Sequence, residues 1–129
     1  MCSSLRKVYT PDDYDLHFDA SAYLHYYFNN ETLRDGARLS LFALPNMASA
    51  IRESVRPEKR KRLVDVGCGP VPLSAICFRD IVEEVHLSDY SSDCRHVLKS
   101  WLRGTSEFCW DAAIQKIARS YLHRISHFD

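Results

Sequence analysis

The hydrophobic positions of this 129-residue chain follow two patterns, one typical of helices and one typical of strands. Residues 63–66 form a short, mostly apolar run rich in β-branched side chains, and glycines follow it directly. Such a run predicts a buried parallel strand that ends in a glycine-rich turn. A second strand is predicted over residues 84–88, and it ends at Asp89.

Elsewhere the apolar side chains recur every three or four residues, which is the spacing of amphipathic helices. This spacing predicts six helices, over residues 19–28, 32–44, 46–55, 73–78, 94–102 and 110–122. Asp19 or Ser21 is expected to cap the first helix, because either side-chain oxygen can accept from its free amides. Pro45 is expected to separate the second helix from the third, because proline has no amide hydrogen to continue the helical bonds.

The last two predicted helices carry apolar stripes that include Leu102 and Ile114, and these stripes are predicted to face the core. Gly104 is expected to end the fifth helix. Residues 1–13 are polar and predict a loosely ordered lead.

The order strand, helix, strand implies a parallel pair joined by a right-handed crossover, which is the opening of a doubly wound α/β fold. Ligands of open α/β sheets bind outside the carboxyl ends of the strands. Gly67 and Gly69 let a ligand approach the backbone closely, since neither has a Cβ atom. Asp89, at the tip of the neighbouring strand, is where the ribose hydroxyls of a nucleoside cofactor would be held. Asp65, just before the turn, can orient the turn amides or reach a cofactor's ammonium group.

The glycine turn departs from the fingerprint of dinucleotide-binding proteins. That fingerprint requires a third glycine, and Pro72 stands at its position. The departure argues against an oxidoreductase that uses a nicotinamide or flavin cofactor.

Composition and charge narrow the class of protein further. The length suits one domain, and the 46% hydrophobic content suits a packed core. The net charge of zero argues against binding to nucleic acid or to an anionic membrane. The five scattered cysteines include no Cys-x-x-Cys pair, which predicts free thiols, a cytoplasmic location and no zinc site. No apolar run has the length of a membrane span, and the first residues do not resemble a signal peptide.

Four motifs together carry a family resemblance. The stretches YDLHFDASAYLHYYF, LVDVGCGP and HLSDYSSD, followed by KSWL and FCW, resemble the methyltransferase family that includes nicotinamide, phenylethanolamine, indolethylamine and thioether methyltransferases. The resemblance covers residues 14–110. It implies a Rossmann-like fold, S-adenosylmethionine as the cofactor, and methyl transfer to a small-molecule amine or thioether.

The resemblance also implies roles for particular residues. Tyr14 and Tyr23 match tyrosines of an N-terminal lid, with Tyr23 expected near the cofactor's carboxylate. The glycine turn would lie against the cofactor, with the backbone amide of Cys68 available and its thiol incidental. Asp89 matches the acid that holds the ribose hydroxyls, and Tyr90 follows it as in the family. The predicted cofactor-binding residues are therefore Tyr14, Tyr23, Asp65, Gly67, Cys68, Gly69, Asp89 and Tyr90.

Three positions depart from the family pattern. Phe28 and Leu73 stand where tyrosines are expected, and Cys94 stands where an asparagine is expected. Tyr27 can replace the tyrosine missing at position 28 only if the helix register shifts. Each replacement removes a polar contact, so cofactor affinity is expected to be weaker than in a full family member.

The chain is also shorter than the family domain. It is expected to be the N-terminal part of a truncated methyltransferase, with a helical lid over residues 14–58 and the start of a Rossmann-like core over residues 62–129. No catalytic residue is assigned, because the donor is already activated and the protein mainly positions the reactants. The alternative is a non-catalytic remnant that binds a protein partner through its open sheet edge.

Overall fold

Helices pack against one face of a two-stranded parallel sheet in the computed structural model, which describes residues 9–28 and 35–125. The elements in chain order are helices α1 (Pro11–His17), α2 (Ala20–Phe28) and α3 (Asp35–Ser54), strand β1 (Arg62–Val66), helix α4 (Leu73–Phe78), strand β2 (Glu84–Ser88), and helices α5 (Ser92–Leu102) and α6 (Asp111–Ile125). A short 3-10 turn, Pro57–Lys59, precedes β1. Within the described ranges no helix is both long enough and apolar enough to cross a membrane.

The two strands pair in parallel over their whole length, as predicted. Arg62 lies opposite Glu84, and Val66 lies opposite Ser88. The prediction that β1 is a buried strand is wrong for one of its faces, because Val64 is 61% exposed and Val66 is 80% exposed. The described helices cover only the face that carries Leu63 and Val85, so side chains alternate between half-buried and exposed along both strands.

The chain is helical through Pro45, so the predicted break between two helices is wrong. The ring of Pro45 is fully buried. Its packing in the core helps offset the one backbone hydrogen bond that a proline removes from a helix interior. The neighbouring Asn46 side chain donates to the carbonyl of Phe42 over 2.7 Å.

Helix α1 begins inside the segment that was predicted to be loosely ordered. Thr10 caps it: its hydroxyl accepts from the Asp13 amide over 3.2 Å, while the Asp13 carboxylate accepts from the Thr10 amide over 3.1 Å. Pro11 follows the cap at the first helical position, which proline favours. The predicted cap of α2 is confirmed, because the Asp19 carboxylate accepts from the Ala22 amide over 2.8 Å.

The core joins one face of α2, α3, α4 and α6. Its buried members include Leu24, Phe28, Ala37, Leu41, Leu73, Phe78, Trp110 and Ile117. The predicted stripe of α5 is only partly in the core, since Leu98 is buried and Leu102 is 71% exposed. Ile114 on α6 is also exposed, at 39%. Both lie on an open groove of about 700 Å³ beside Val85, where the described residues place no covering element.

Helix α5 ends as predicted. Gly104 follows its last turn with φ of 71°, and its amide donates to the carbonyl of Trp101 over 3.0 Å. The predicted stripe of α6 continues to Leu122, but the side chains from residue 120 onward lie outside the described part. Residues 29–34, where a helix was predicted to begin at position 32, also lie outside it.

Candidate functional site

The glycine turn after β1 is tied to the end of β2 by backbone hydrogen bonds. The amides of Gly67 and Cys68 both donate to the carbonyl of Ser88, over 2.8 and 3.1 Å. Gly67 and Gly69 have φ of 73° and 62°, a conformation that disfavours any side chain. The space in which a Cβ atom would stand is open at both glycines. The turn therefore presents bare backbone at the carboxyl edge of the sheet.

Asp89 is held in one orientation by two backbone donors. Its Oδ2 atom accepts from the Gly69 amide over 2.7 Å, and its Oδ1 atom accepts from the Ser91 amide over 2.9 Å. An ionised carboxylate has about four acceptor positions, and the Cys94 side chain also hydrogen-bonds this one, so the carboxylate keeps acceptor capacity for a ligand. The half-buried Asp89 thus joins the glycine turn to the loop after β2 and offers a pair of acceptors.

A cleft of about 350 Å³ opens beside the glycine turn. This volume lies within the range of about 300–1,000 Å³ that is usual for small-molecule sites. Its walls come from α2, α3, the turn and the start of α4, through Tyr23, Tyr27, Phe28, Gly36, Ala37, Ser40, Leu44, Asp65, Gly67, Cys68, Val71, Leu73 and Ser74. The cleft therefore combines aromatic rings, hydroxyls and one carboxylate.

Asp65 lies on the covered face of β1 and lines this cleft. Its Oδ2 atom accepts from the hydroxyl of Ser74 over 2.6 Å, and Ser74 is itself 4% exposed. The buried hydroxyl fixes one oxygen of the carboxylate and leaves the other able to accept from a cation.

Two of the predicted tyrosines, Tyr14 and Tyr23, belong to a continuous row of rings that leads from α1 to the cleft. Tyr14 stacks on Phe18 with ring centres 4.8 Å apart, Phe18 contacts Tyr23 at 5.5 Å, and Tyr23 contacts Tyr27 at 4.6 Å. Burial raises the pKa of the Tyr14 phenol, and the neighbouring Cys94 and Asp89 raise it further. Burial also raises the pKa of Tyr23, followed by the influence of Tyr27 and Cys94. Both phenols therefore stay neutral at neutral pH and can donate.

Cys68 is not an activated nucleophile. Burial raises the pKa of its thiol to about 11, and the charges of Asp65 and Asp89 act in the same direction. A thiol with this pKa is protonated at neutral pH, whereas nucleophilic cysteines have a lowered pKa. Among the described residues, no group of three or more metal-ligating side chains lies together.

Tyr90 lies apart from the cleft walls. It is 62% exposed, and its hydroxyl donates to the Asp12 carboxylate on α1 over 3.5 Å. The structure thus brings Tyr23, Asp65, Gly67 and Cys68 to the cleft walls, places Tyr14, Gly69 and Asp89 beside them, and leaves Tyr90 at the surface.

The three positions that depart from the family pattern are buried. Phe28 is 6% exposed and packs on Trp110 at 5.2 Å between ring centres, while Leu73 and Cys94 are each 1% exposed. An apolar side chain at these positions fills the core. Tyr27 lines the cleft from an unbroken α2, so no register shift is needed to bring it there.

Two polar residues of the cleft, Ser74 and Ser40, were not identified from the sequence. Ser74 is the single polar residue of the short helix LSAICF, which is a signal that could have identified it. Ser40 follows Gly36 by four residues and precedes Leu44 by four, so helical spacing places all three on one face of α3. The residues of α3 that line the cleft all precede Pro45, so this wall comes from the first half of the helix.

Comparison with known proteins gives two findings. A model of the NNMT/PNMT/TEMT family matches residues 6–122. A nicotinamide N-methyltransferase of Caenorhabditis elegans is 30% identical to the chain over 101 residues, which is 78% of this chain and 35% of that relative. The chain therefore spans about a third of the length of the curated relative it matches.

Proposed function

The chain belongs to the NNMT/PNMT/TEMT family, and from this premise we propose that its cleft binds S-adenosylmethionine in a methyltransferase that acts on a small-molecule amine or thioether. The main support is the position of Asp89, whose two carboxylate oxygens are held by backbone amides of the glycine turn and of the loop after β2. The proposal includes the fold: the parallel strand–helix–strand unit is the start of a Rossmann-like core, spanning residues 62–129. Residues 14–58 form a helical lid region over it.

Asp89 has the geometry to hold the two adjacent hydroxyls of a ribose. The Gly69 and Ser91 amides each hold one of its oxygens, so both oxygens are fixed in place beside the glycine turn. Bare backbone at Gly67 and Gly69 lets the nucleoside approach without a side chain in the way. Cys68 helps to shape the turn at this point, since its amide already donates to the Ser88 carbonyl and its thiol stays neutral.

The amino-acid end of the cofactor fits the other wall of the cleft. The Asp65 carboxylate, fixed by Ser74, suits an ammonium group. The phenols of Tyr23 and Tyr27 are donors that suit a carboxylate. These two tyrosines restore hydroxyls that Phe28 and Leu73 do not supply. Tyr14 supports Tyr23 through Phe18, and Tyr90 fastens the loop after β2 to α1.

Bound S-adenosylmethionine supplies an activated methyl group, so the chain needs no covalent nucleophile of its own. The contribution of these residues is to bind and orient the donor, which raises the rate through positioning. The aromatic rings of Tyr23 and Tyr27 also present electron-rich faces, which suit a positively charged group. The free thiols of Cys68, Cys77, Cys94 and Cys109 support a cytoplasmic site of action.

Calorimetric titration of the 129-residue chain with S-adenosylhomocysteine tests this function. We expect saturable binding that Asp89→Ala weakens by at least tenfold, since it loses two acceptors for the ribose, each worth about 1 kcal/mol. The matched control is Asp80→Ala, which removes an exposed carboxylate away from the cleft. Equal binding by wild type and Asp89→Ala, or no binding by a folded wild type, would refute the proposal.

The open groove favours a second candidate, a non-catalytic protein that binds a partner chain at its sheet edge. Leu102 and Ile114 expose apolar surface there beside Val85. Sedimentation of the chain with a full-length family member tests it, and Leu102→Asp should abolish any association. Failure of wild type to associate would eliminate this candidate.

A further inference from the structure

We infer that Asp15 and Asp93 are positioning residues, which together form a clasp that holds helices α1 and α2 against the Asp89 site. The clasp is defined here by these two carboxylates and the two backbone amides that they accept from, those of Ser92 and Ala20. The inference rests on the proposed function, because the site that the clasp positions is the proposed cofactor site.

Each carboxylate caps a helix in a distant part of the chain: Asp15 caps α5, and Asp93 caps α2. Asp15 on α1 accepts at Oδ1 from the Ser92 amide over 2.8 Å and from the Ser92 hydroxyl over 3.3 Å. Asp93 on α5 accepts at Oδ2 from the Ala20 amide over 2.8 Å. Ser92 and Ala20 are the first residues of α5 and α2, whose amides have no partner within their own helices. Each end of the clasp therefore satisfies a helix terminus that belongs to the other segment.

The clasp is continuous with the proposed site. Ser91, directly before α5, is fully buried and donates its amide to Asp89 Oδ1. The Ser91 hydroxyl accepts from the Cys94 amide over 3.4 Å. The short segment between Asp89 and Asp93 thus carries the site's carboxylate and both attachment points of the N-terminal helices. A shift of α1 or α2 would act directly on the loop that orients Asp89.

The N-terminal helices in turn place the rings at the cleft. Tyr14 is next to Asp15, and Tyr23 is three residues beyond Ala20. The contacts from Tyr14 through Phe18 to Tyr23 span the junction between α1 and α2. Holding Asp15 and Ala20 against α5 therefore fixes both ends of this row of rings.

Hydrogen exchange of the ¹⁵N-labelled 129-residue chain tests the coupling without a ligand. We expect Asp15→Ala to accelerate exchange at the Ser92 amide and also at the Ala20 amide, whose own acceptor is intact. Asp93→Ala should accelerate both amides in the same way. Asp15→Asn keeps an acceptor oxygen and should restore slow exchange. Asp19→Ala is the matched control, because it removes a carboxylate-to-amide hydrogen bond of the same 2.8 Å length that does not reach α5. It should leave the exchange rate of the Ser92 amide unchanged.

Titration with S-adenosylhomocysteine then tests the effect on the site. Asp15→Ala and Asp93→Ala should each weaken binding roughly fivefold, because each loses a hydrogen bond that joins the N-terminal helices to α5. The double variant should be little weaker than either single variant, because opening one end releases the helices. Asp15→Asn should recover most of the affinity, and Asp19→Ala should retain it.

The outcomes separate the clasp from the proposed function. Exchange that rises only at the amide whose own acceptor was removed would overturn the clasp. Coupled exchange with unchanged affinity would overturn its positioning role. A folded wild type that does not bind S-adenosylhomocysteine would refute the proposed function, while the exchange data alone would still decide whether the two ends are coupled.

Discussion

Asp89 shows how backbone geometry at single residues shapes the site. Gly69 can donate to Asp89 because its φ of 62° turns its amide toward the end of β2. The carboxylate then links the ends of both strands. The sequence identifies Gly69 and Asp89 as site residues, but the hydrogen bond between them depends on the strand register that brings the two ends together.

Gly69 should be sensitive to substitution for a conformational reason. Gly69→Ala should lower the free energy of unfolding by about 1–2 kcal/mol, the cost of a left-handed alanine. Steric overlap adds nothing, because the position of the added Cβ is open. Gly36→Ala is the control: it lies in α3 without a positive φ, and it should stabilise the chain by up to about 1 kcal/mol. Urea unfolding measures both, and a stability equal to wild type for Gly69→Ala would contradict this explanation.

The limits of sequence reasoning are clear from individual residues. Asp65 and Asp89 were proposed from their place at the strand ends and Tyr23 from the family resemblance, and their roles at a cofactor stay predictions. Ser74 was missed because its role depends on a side-chain bond across nine residues, which periodicity does not show. Asp15 was missed because its partner lies 77 residues away.

Among the helices and strands, local signals predicted β2 and α4 with the bounds that the structure has. The strongest departures come from tertiary packing. Pro45 was expected to end a helix, but burial of its ring keeps α3 continuous. The capping box of Thr10 and Asp13 was present in the sequence and was not used, although it begins α1. Helix α1 carries Tyr14 and Asp15, the first of the proposed ring row and one half of the proposed clasp.

Helix α5 permits a comparison between two leucines one turn apart. Leu98 is 5% exposed, whereas Leu102 is 71% exposed. Leu98→Ala should lower the free energy of unfolding by about 2–5 kcal/mol, because it leaves a cavity. Leu102→Ala should change it by no more than about 0.5 kcal/mol, as is usual for a surface substitution.

Denaturant unfolding of both variants measures the difference. A large cost at Leu102 would mean that the groove beside Val85 is filled in the isolated chain, for example by self-association. Repeating the measurement at a tenfold lower protein concentration separates these cases, because the stability of an associated species depends on concentration.

At the scale of the whole molecule, the edge of the sheet that carries the proposed site is covered by helices, whereas one face of the sheet is exposed. The carboxyl edge of the sheet is enclosed by α1, α2, α3 and the loop after β2, and this edge carries the proposed cofactor site. The opposite face of the sheet exposes Val64 and Val66, and the groove exposes Leu102. The sequence predicted the strand–helix–strand unit, but it could not show which face of the sheet the helices leave open. Alternation in β1 is hidden because Val64 and Val66 are apolar although they lie on the exposed face.

The central claim is that the edge joining the glycine turn to Asp89 binds the nucleoside of S-adenosylmethionine. Amide chemical shifts of the ¹⁵N-labelled chain during titration with S-adenosylhomocysteine test it most directly. The account predicts saturable shifts at Gly67, Cys68, Gly69 and Ser91, with the amide of Leu102 unaffected. A folded chain whose amides at the turn do not respond, or respond less than those along the Leu102 groove, would contradict it.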